Sequence, residues 1–424
     1  MVMKIDIKTK LPGPKVRSIF KDGFKKHLGV VGVYYPFIYG GNGSGCYVED
    51  IDGNTFLDMS SQVAVLPLGY NHPRLCKVTE KYAGKSPVKG AGQDFYVIEH
   101  LELAEELVSI TPERLDAVFF SNSGAESIEN AIKIAYKFKE CAKIGISCEG
   151  AFHGRTLGAL SLTNSKSVHK DGFPEIPVKR IPFCIKEEYL RSNIRAVERI
   201  FKQETSPKNI AYLIVEVVQG EGGYNIENKE YLKYLREKTL EYNIPLIIDE
   251  VQTGLGRTGK WWSYEHYDIE PDILTMAKAL QVGATVANRE YFPKENGVLS
   301  NTWGGGDMID LAIGKEIIRT IKEDNLIENA KNMGKYALKR LKEIEETYNI
   351  VKNARGLGLM LAIDFDATET LGELVQRNYK KGMLTLPCGD KTLRMLPPLI
   401  VSEEEINIAM QILEDNIKQI ESNL

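Results

Sequence analysis

The residue best suited to covalent chemistry is Lys278, in Asp272-Ile-Leu-Thr-Met-Ala-Lys278-Ala-Leu; upstream, the apolar run Pro245-Leu-Ile-Ile ends in Asp249-Glu250-Val251-Gln252. A lysine amine can condense with an aldehyde, and a carboxylate at a strand end can keep a ring nitrogen protonated so that the ring accepts electrons. Neither residue is diagnostic alone. The chain holds 54 Lys+Arg and 58 Asp+Glu, so most of its charges must be solvated surface.

Four other segments add to the pair. Ser123-Gly124-Ala125 stands where a strand, Ala117-Val-Phe-Phe, hands over to a helix; backbone N–H groups and the helix dipole there suit a phosphate, although serine before glycine also reads as a plain N-cap. Phe152-His-Gly154-Arg155 sets a flat ring beside a guanidinium: Phe152 can stack on a planar ligand and Arg155 can fork a carboxylate, against the commoner readings of a core phenylalanine and a surface arginine. Glu216-Val-Val-Gln-Gly-Glu221-Gly-Gly ends an apolar strand in two carboxylates that need a cationic partner if buried, and Arg394 in Thr392-Leu-Arg-Met-Leu-Pro-Pro is a candidate. Ser300-Asn-Thr302-Trp-Gly-Gly-Gly offers a hydroxyl and a close-approach loop for a second phosphate contact. No G-x-x-x-x-G-K-[ST] nucleotide loop is present.

These residues need a scaffold, and the pattern predicts one. Short apolar runs alternate with helix-period segments, so the chain reads as α/β: a large, mostly parallel sheet with helices on both faces plus a smaller α+β domain. Predicted strands are Ala117-Val-Phe-Phe, Ala211-Tyr-Leu-Ile-Val, Pro245-Leu-Ile-Ile and Asp272-Ile-Leu-Thr-Met, while Ile128, Ala131, Ile132 and Ala135 recur at helical spacing. Tyr39 to Asn54 reads as two strands broken by tight turns, and strand-like pieces near Gly358-Leu-Met-Leu-Ala-Ile-Asp precede a final amphipathic helix after Ser402. The expected organisation is an N-terminal segment over 1–70 contributing to the small domain, a large domain over 71–310 and a C-terminal small domain over 311–424.

At 424 residues, 43% hydrophobic and net charge -4, the composition is that of a globular protein without the basic stripe that nucleic acid requires. The start lacks a signal-peptide core and no apolar run reaches membrane-spanning length, so a cytoplasmic protein with no membrane association is expected. Cys46, Cys76, Cys141, Cys148, Cys184 and Cys388 form no C-x-x-C pair, which argues for reduced thiols and no metal site.

Taken in order from about Gly32 onward, these segments resemble the class III aminotransferases, the ω-amino branch of the fold-type I pyridoxal-phosphate-dependent enzymes. The specific matches are Asp249-Glu-Val-Gln252-Thr-Gly-Leu-Gly-Arg-Thr-Gly259, the lysine strand, Phe152-His-Gly-Arg, and Arg394 before Pro397-Pro398-Leu. The resemblance implies that Lys278 carries the cofactor as a Schiff base and shuttles the proton, and that Asp249 pairs with the pyridinium nitrogen. Gln252 would contact the ring hydroxyl, Phe152 would stack, and Ser123, Gly124 and Ala125 would hold the phosphate. Thr302 would come from the neighbouring subunit, making the enzyme a homodimer with active sites at the interface. It also implies two substrates, an amino donor and 2-oxoglutarate, with Arg155 gripping the donor's distal carboxylate and an Arg394–Glu221 pair that opens for the oxo acid.

Within the family, Lys278-Ala-Leu-Gln281-Val-Gly replaces the usual glycine triplet and resembles 4-aminobutyrate and lysine 6-aminotransferases. Ser61-Gln62, Pro67-Leu-Gly-Tyr70-Asn-His72-Pro73 and Ser165-Lys-Ser-Val-His169 are similar to the 4-aminobutyrate enzymes, whereas Gly358-Leu-Met and Pro397 to Ser402 are similar to the lysine enzymes. Gln62 stands where ornithine aminotransferases carry a substrate-binding tyrosine, which disfavours ornithine. The resemblance thus implies 4-aminobutyrate first, lysine or another ω-amino donor second, and a racemase or aminomutase on the same fold as the other class of reaction. The phosphate loop lacks the cluster-binding cysteines of the animal enzymes, so no iron–sulfur centre is expected.

Overall fold

The computed structural model describes residues 3–30, 32–84, 95–140, 142–300 and 305–423. The chain forms two compact units: Lys77–Gly256 with Lys260–Asp324, and Met1–Cys76 with Arg257–Gly259 and Asn325–Leu424.

The first unit is built on a seven-stranded sheet. Its strands are β1 (Ala117–Ser121), β2 (Ile144–Cys148), β3 (Val178–Ile181), β4 (Ile210–Val215), β5 (Leu246–Asp249), β6 (Ile273–Met276) and β7 (Gly283–Ala287), in the order β1-β7-β6-β5-β4-β2-β3. From β6 to β3 every pairing is parallel; β7 alone runs antiparallel to both of its neighbours. Central strands are buried on both faces, so they read as unbroken apolar runs: all six residues of β4 and all four of β5 are buried. The helix Gly124–Phe138 covers one face, where Ile128, Ala131, Ile132 and Ala135 pack against Tyr212, Ile214, Ile247 and Ile273. Each buried isoleucine among them contributes about 1.5–3 kcal/mol by leaving water, and each alanine less. Asp249 ends a strand, and Lys278, Ser123, Phe152 and Glu216 follow the C-terminal ends of strands running the same way, the edge at which open α/β sheets hold ligands.

The second unit has two four-stranded sheets. One joins Tyr39–Ser44, Tyr47–Asp50, Thr55–Asp58 and Met383–Leu384; the other joins Val351–Leu357, Met360–Phe365, Thr392–Met395 and Leu386–Cys388. Its last helix, Glu403–Glu421, starts in a reciprocal cap: Ser402 Oγ accepts from Glu405 N at 3.2 Å and Glu405 Oε2 accepts from Ser402 N at 2.8 Å. The insertion Arg257–Gly259 is tied in by Leu359 N donating to Arg257 O at 2.9 Å and by the buried Arg257 guanidinium donating to Pro397 O. Cys46, Cys148, Cys184 and Cys388 are buried free thiols. Among the described residues no helix is long and apolar enough to cross a membrane.

Candidate active site

Within the first unit, six of the residues singled out from sequence line one cavity of about 180 Å³: Lys278, Asp249, Gln252, Phe152, Gly124 and Ala125. Lys278 is delivered by an abrupt turn. After β6 the chain enters a single 3₁₀ turn, Lys278–Leu280, closed by Gln281 at φ +67, whose N–H and side-chain amide both donate to Lys278 O at 3.1 and 3.0 Å. That left-handed position favours glycine, and Gln281 holds it by using its own amide as an extra clamp.

Asp249 is 5% exposed at the end of β5. One carboxylate oxygen accepts from Val251 N at 2.9 Å; the other accepts from His153 Nδ1–H at 2.8 Å. The His153 side chain is fully buried and its Nε2 has no partner among the described residues. His153 lay unassigned inside the motif read for Phe152 and Arg155; its signal was its place between those two residues. Glu216 also faces the cavity, with its two oxygens accepting from Phe152 N at 2.8 Å and Gly220 N at 2.9 Å. Burial, opposed by His153 and reinforced by Asp249, pushes its carboxyl up to about 7.

At the phosphate end, Ser123 caps the helix Gly124–Phe138, its hydroxyl accepting from Glu126 N at 3.2 Å. Gly124 sits so close to the Asp249 loop that a Cβ would come within 2.9 Å of Val251 Cγ1. A backbone with no side chain at a helix start is a cradle for an anion. The donors, the carboxylate, the aromatic face and the primary amine around one cavity thus fit pyridoxal phosphate, atom class by atom class.

The remaining candidates are spread more widely. Arg155 is exposed, its guanidinium carbon 5.6 Å from the Phe152 ring centre. Glu221 is 3.9 Å from Lys166 Nζ, a cation of its own unit that sequence reading left unassigned. His169 lies edge-on to Phe152 at 5.6 Å, and burial and Arg155 lower its pKa. Arg394 and Gln62 belong to the other unit. Arg394 is 5% exposed in the strand Thr392–Met395, opposite Ala362 and Leu386. Gln62 lies in a run of four consecutive left-handed residues, Ser61 to Ala64, with φ from 39° to 65°. Such a run costs about 1–2 kcal/mol per residue. It is held by Ser61 Oγ donating to Leu396 O at 2.5 Å and by the buried Asp58, which accepts from Ser60 N at 2.7 Å and Tyr70 Oη at 2.8 Å. Thr302 lies outside the described residues.

Glu250, next to Asp249, turns the other way. Its carboxylate accepts from Ser263 N at 2.7 Å, Ser263 Oγ at 2.8 Å and Thr253 Oγ1, yet burial still pushes it up to about 7 from 4.5. A carboxyl raised on folding keeps its proton in the native state after the unfolded chain has lost it, so its contribution is complete below pH 4.5 and is lost as pH rises through 7. The expected loss is on the order of 3 kcal/mol across that window. Urea titrations at pH 5 and pH 8 check this: Glu250→Gln should flatten the decline, and an unchanged slope would contradict the assignment.

The family model for class III aminotransferases matches residues 32–417. An acetylornithine aminotransferase of Methanocaldococcus jannaschii is 37% identical over 394 residues, covering 89% of this chain and 93% of that protein. A lysine aminotransferase from M. tuberculosis, solved in its internal aldimine form, superimposes with a TM-score of 0.89 at 30% identity, covering 95% of this chain and 99% of that one. An ornithine aminotransferase from Toxoplasma gondii gives 0.86 at 26%, covering 96% of each chain. With its fold-type I architecture and a cavity fitted to pyridoxal phosphate, the chain belongs to the class III aminotransferases.

Proposed function

We propose that the enzyme moves the ω-amino group of an amino acid to 2-oxoglutarate, yielding the semialdehyde and glutamate. The observation that carries this is the convergence of Lys278, Asp249, Gln252 and Phe152 on one cavity. Pyridoxal phosphate, when bound there, supplies an electron sink for the donor carbon. Lys278 Nζ, lining the cavity, would hold the cofactor and is placed to take the proton from that carbon. Asp249, held in orientation by His153, would keep the ring-nitrogen proton; Gln252 would donate to the ring oxygen, and Phe152 would cover one ring face. The peptide N–H groups at Ser123, Gly124 and Ala125 would hold the phosphate, joined by Thr302 of the partner subunit. By the family resemblance, Arg155 would receive the donor's distal carboxylate and Arg394 the carboxylate of 2-oxoglutarate, with Glu221 and Gln62 as further substrate-site candidates.

The donor is a finer question. The stretches around Gln62 and His169 favour 4-aminobutyrate, but the relatives act, by name, on acetylornithine, lysine and ornithine. That weight supports a longer donor, N-acetylornithine or lysine, ahead of 4-aminobutyrate. Each presents a carboxylate far from the reacting amine. The test is a panel of the three amines against 2-oxoglutarate and against pyruvate, followed by product glutamate or alanine. The expected result is glutamate, with one longer donor preferred at least about tenfold in kcat/KM, the discrimination a few pocket side chains supply. Glutamate from 4-aminobutyrate alone would reverse the order; racemisation of an amino acid outpacing all transfer would replace the reaction class.

We also propose a homodimer. Phe95, Tyr96, Ile98 and Leu101, at the start of the helix Ile98–Val108, are 74%, 77%, 61% and 55% exposed, an apolar patch that a second copy would cover. A cytoplasmic location is the matching expectation.

A further inference from the structure

The segment that follows β4 turns back on itself and closes. Val218 and Ile226 pair across it as an antiparallel bridge, Gln219 N donates to Asn225 O at 2.9 Å, and Asn225 Nδ2 donates to Gln219 Oε1 at 3.0 Å and to Gly222 O at 3.1 Å. Tyr224, at the closed tip, is held at φ +54, a conformation strained for an aromatic residue, and is 1% exposed. Strain of this kind persists only where the surroundings enforce it, and here it sets one contact: the Tyr224 hydroxyl donates to Gln252 Oε1 at 2.7 Å. Gly220 makes room for the same amide, since a Cβ there would stand 2.5 Å from Gln252 Nε2. A phenolic O–H is a better donor than acceptor, so it selects the carbonyl end of the amide. That leaves the NH₂, beside Gly220, as the end of the amide that Tyr224 does not take, in a side chain whose residue lines the cavity.

We propose that Tyr224 is a positioning residue: it fixes the Gln252 amide so that its NH₂ faces the cofactor's ring oxygen and Gln252 acts there only as a donor. This rests on the reading that Gln252 contacts that oxygen. A donor to an oxygen that carries negative charge stabilises the deprotonated form of the group sharing its proton, and so lowers the pH at which the bound cofactor changes its visible absorption. An amide released from Tyr224 can turn its own oxygen toward the ring and lose that effect.

The test records the visible absorption of the holoenzyme against pH for the wild type, Tyr224→Phe, Gln252→Leu and the double variant. Tyr224→Phe keeps the ring and removes only the hydroxyl. Its midpoint should rise by about half a unit to one unit, a hydrogen-bond-sized perturbation. Gln252→Leu should raise it at least as far, and the double variant should move no further than Gln252→Leu, because both changes remove one interaction. A midpoint moved by Gln252→Leu but not by Tyr224→Phe, or two shifts that add, would reduce Tyr224 to packing and overturn the inference. If Gln252→Leu leaves the midpoint where it was, the Gln252 reading itself fails and takes the inference with it.

Discussion

Lys278→Ala should transfer no measurable amino group, with kcat lower by at least about 10,000-fold, the range spanned by loss of a positioned general base compounded with loss of the covalent attachment. The size follows from geometry. Lys278 supplies the amine among the residues lining the 180 Å³ cavity, and its backbone is locked by two hydrogen bonds from Gln281, so no neighbour can take over its reach. The protein itself should survive the change. Lys278 is only half-buried, in a turn whose bonds are made by its backbone, and truncating its side chain opens no core. Steady-state rates with the best donor, read beside a melting curve, separate the two effects. Loss of turnover with an unchanged Tm is the expected pair of results; residual turnover within a hundredfold of wild type would remove Lys278 from the chemistry.

Asp249→Asn is the second large effect. The substitution keeps shape and removes charge, at a site 5% exposed where Asp249 accepts from both Val251 N and His153 Nδ1–H. An amide cannot hold a proton on the ring nitrogen, and one face of it offers N–H to the N–H of His153. Losing one preorganised electrostatic contact to charge that develops in the reaction costs about 2.7–4 kcal/mol, a fall of roughly 100- to 1,000-fold in kcat/KM. Because the missing interaction matters most as charge develops on the ring, kcat should carry most of the loss and KM little. The pH profile should change as well, with Glu216, pushed up to about 7 beside this pair, left as the cavity's carboxylate. A variant within tenfold of wild type at every pH would contradict the role.

Much of the site is written locally, which is why it could be read. Strands β4, β5 and β6 are dominated by apolar residues because both faces of the central sheet are buried; β5 ends in the polar Asp249, and β4 is followed at once by Glu216. Strand β7 left no such mark. Gly283-Ala-Thr-Val-Ala is built of small residues, with too little apolar bulk to announce a buried strand. Strand β3 sits at the sheet edge and mixes charge into its run, Val-Lys-Arg-Ile, as exposed edges do. Three features were beyond any local pattern. The His153–Asp249 bond joins positions 96 apart, Tyr224 and Gln252 are 28 apart, and Arg257–Gly259 packs with a unit whose other residues lie far away in sequence. The left-handed run at Ser61 to Ala64 contains no glycine or asparagine to announce it; tertiary hydrogen bonds to Leu396 and Asp58 impose it.

The central claim is that the cofactor is carried by Lys278, and reductive trapping tests it most directly. The holoenzyme is reduced with borohydride, digested and mapped by mass spectrometry, with Lys278→Ala treated in parallel. One pyridoxyl-phosphate adduct is expected, on the peptide containing Lys278, and none in the variant. An adduct on a different lysine, or one that persists in Lys278→Ala, would contradict it.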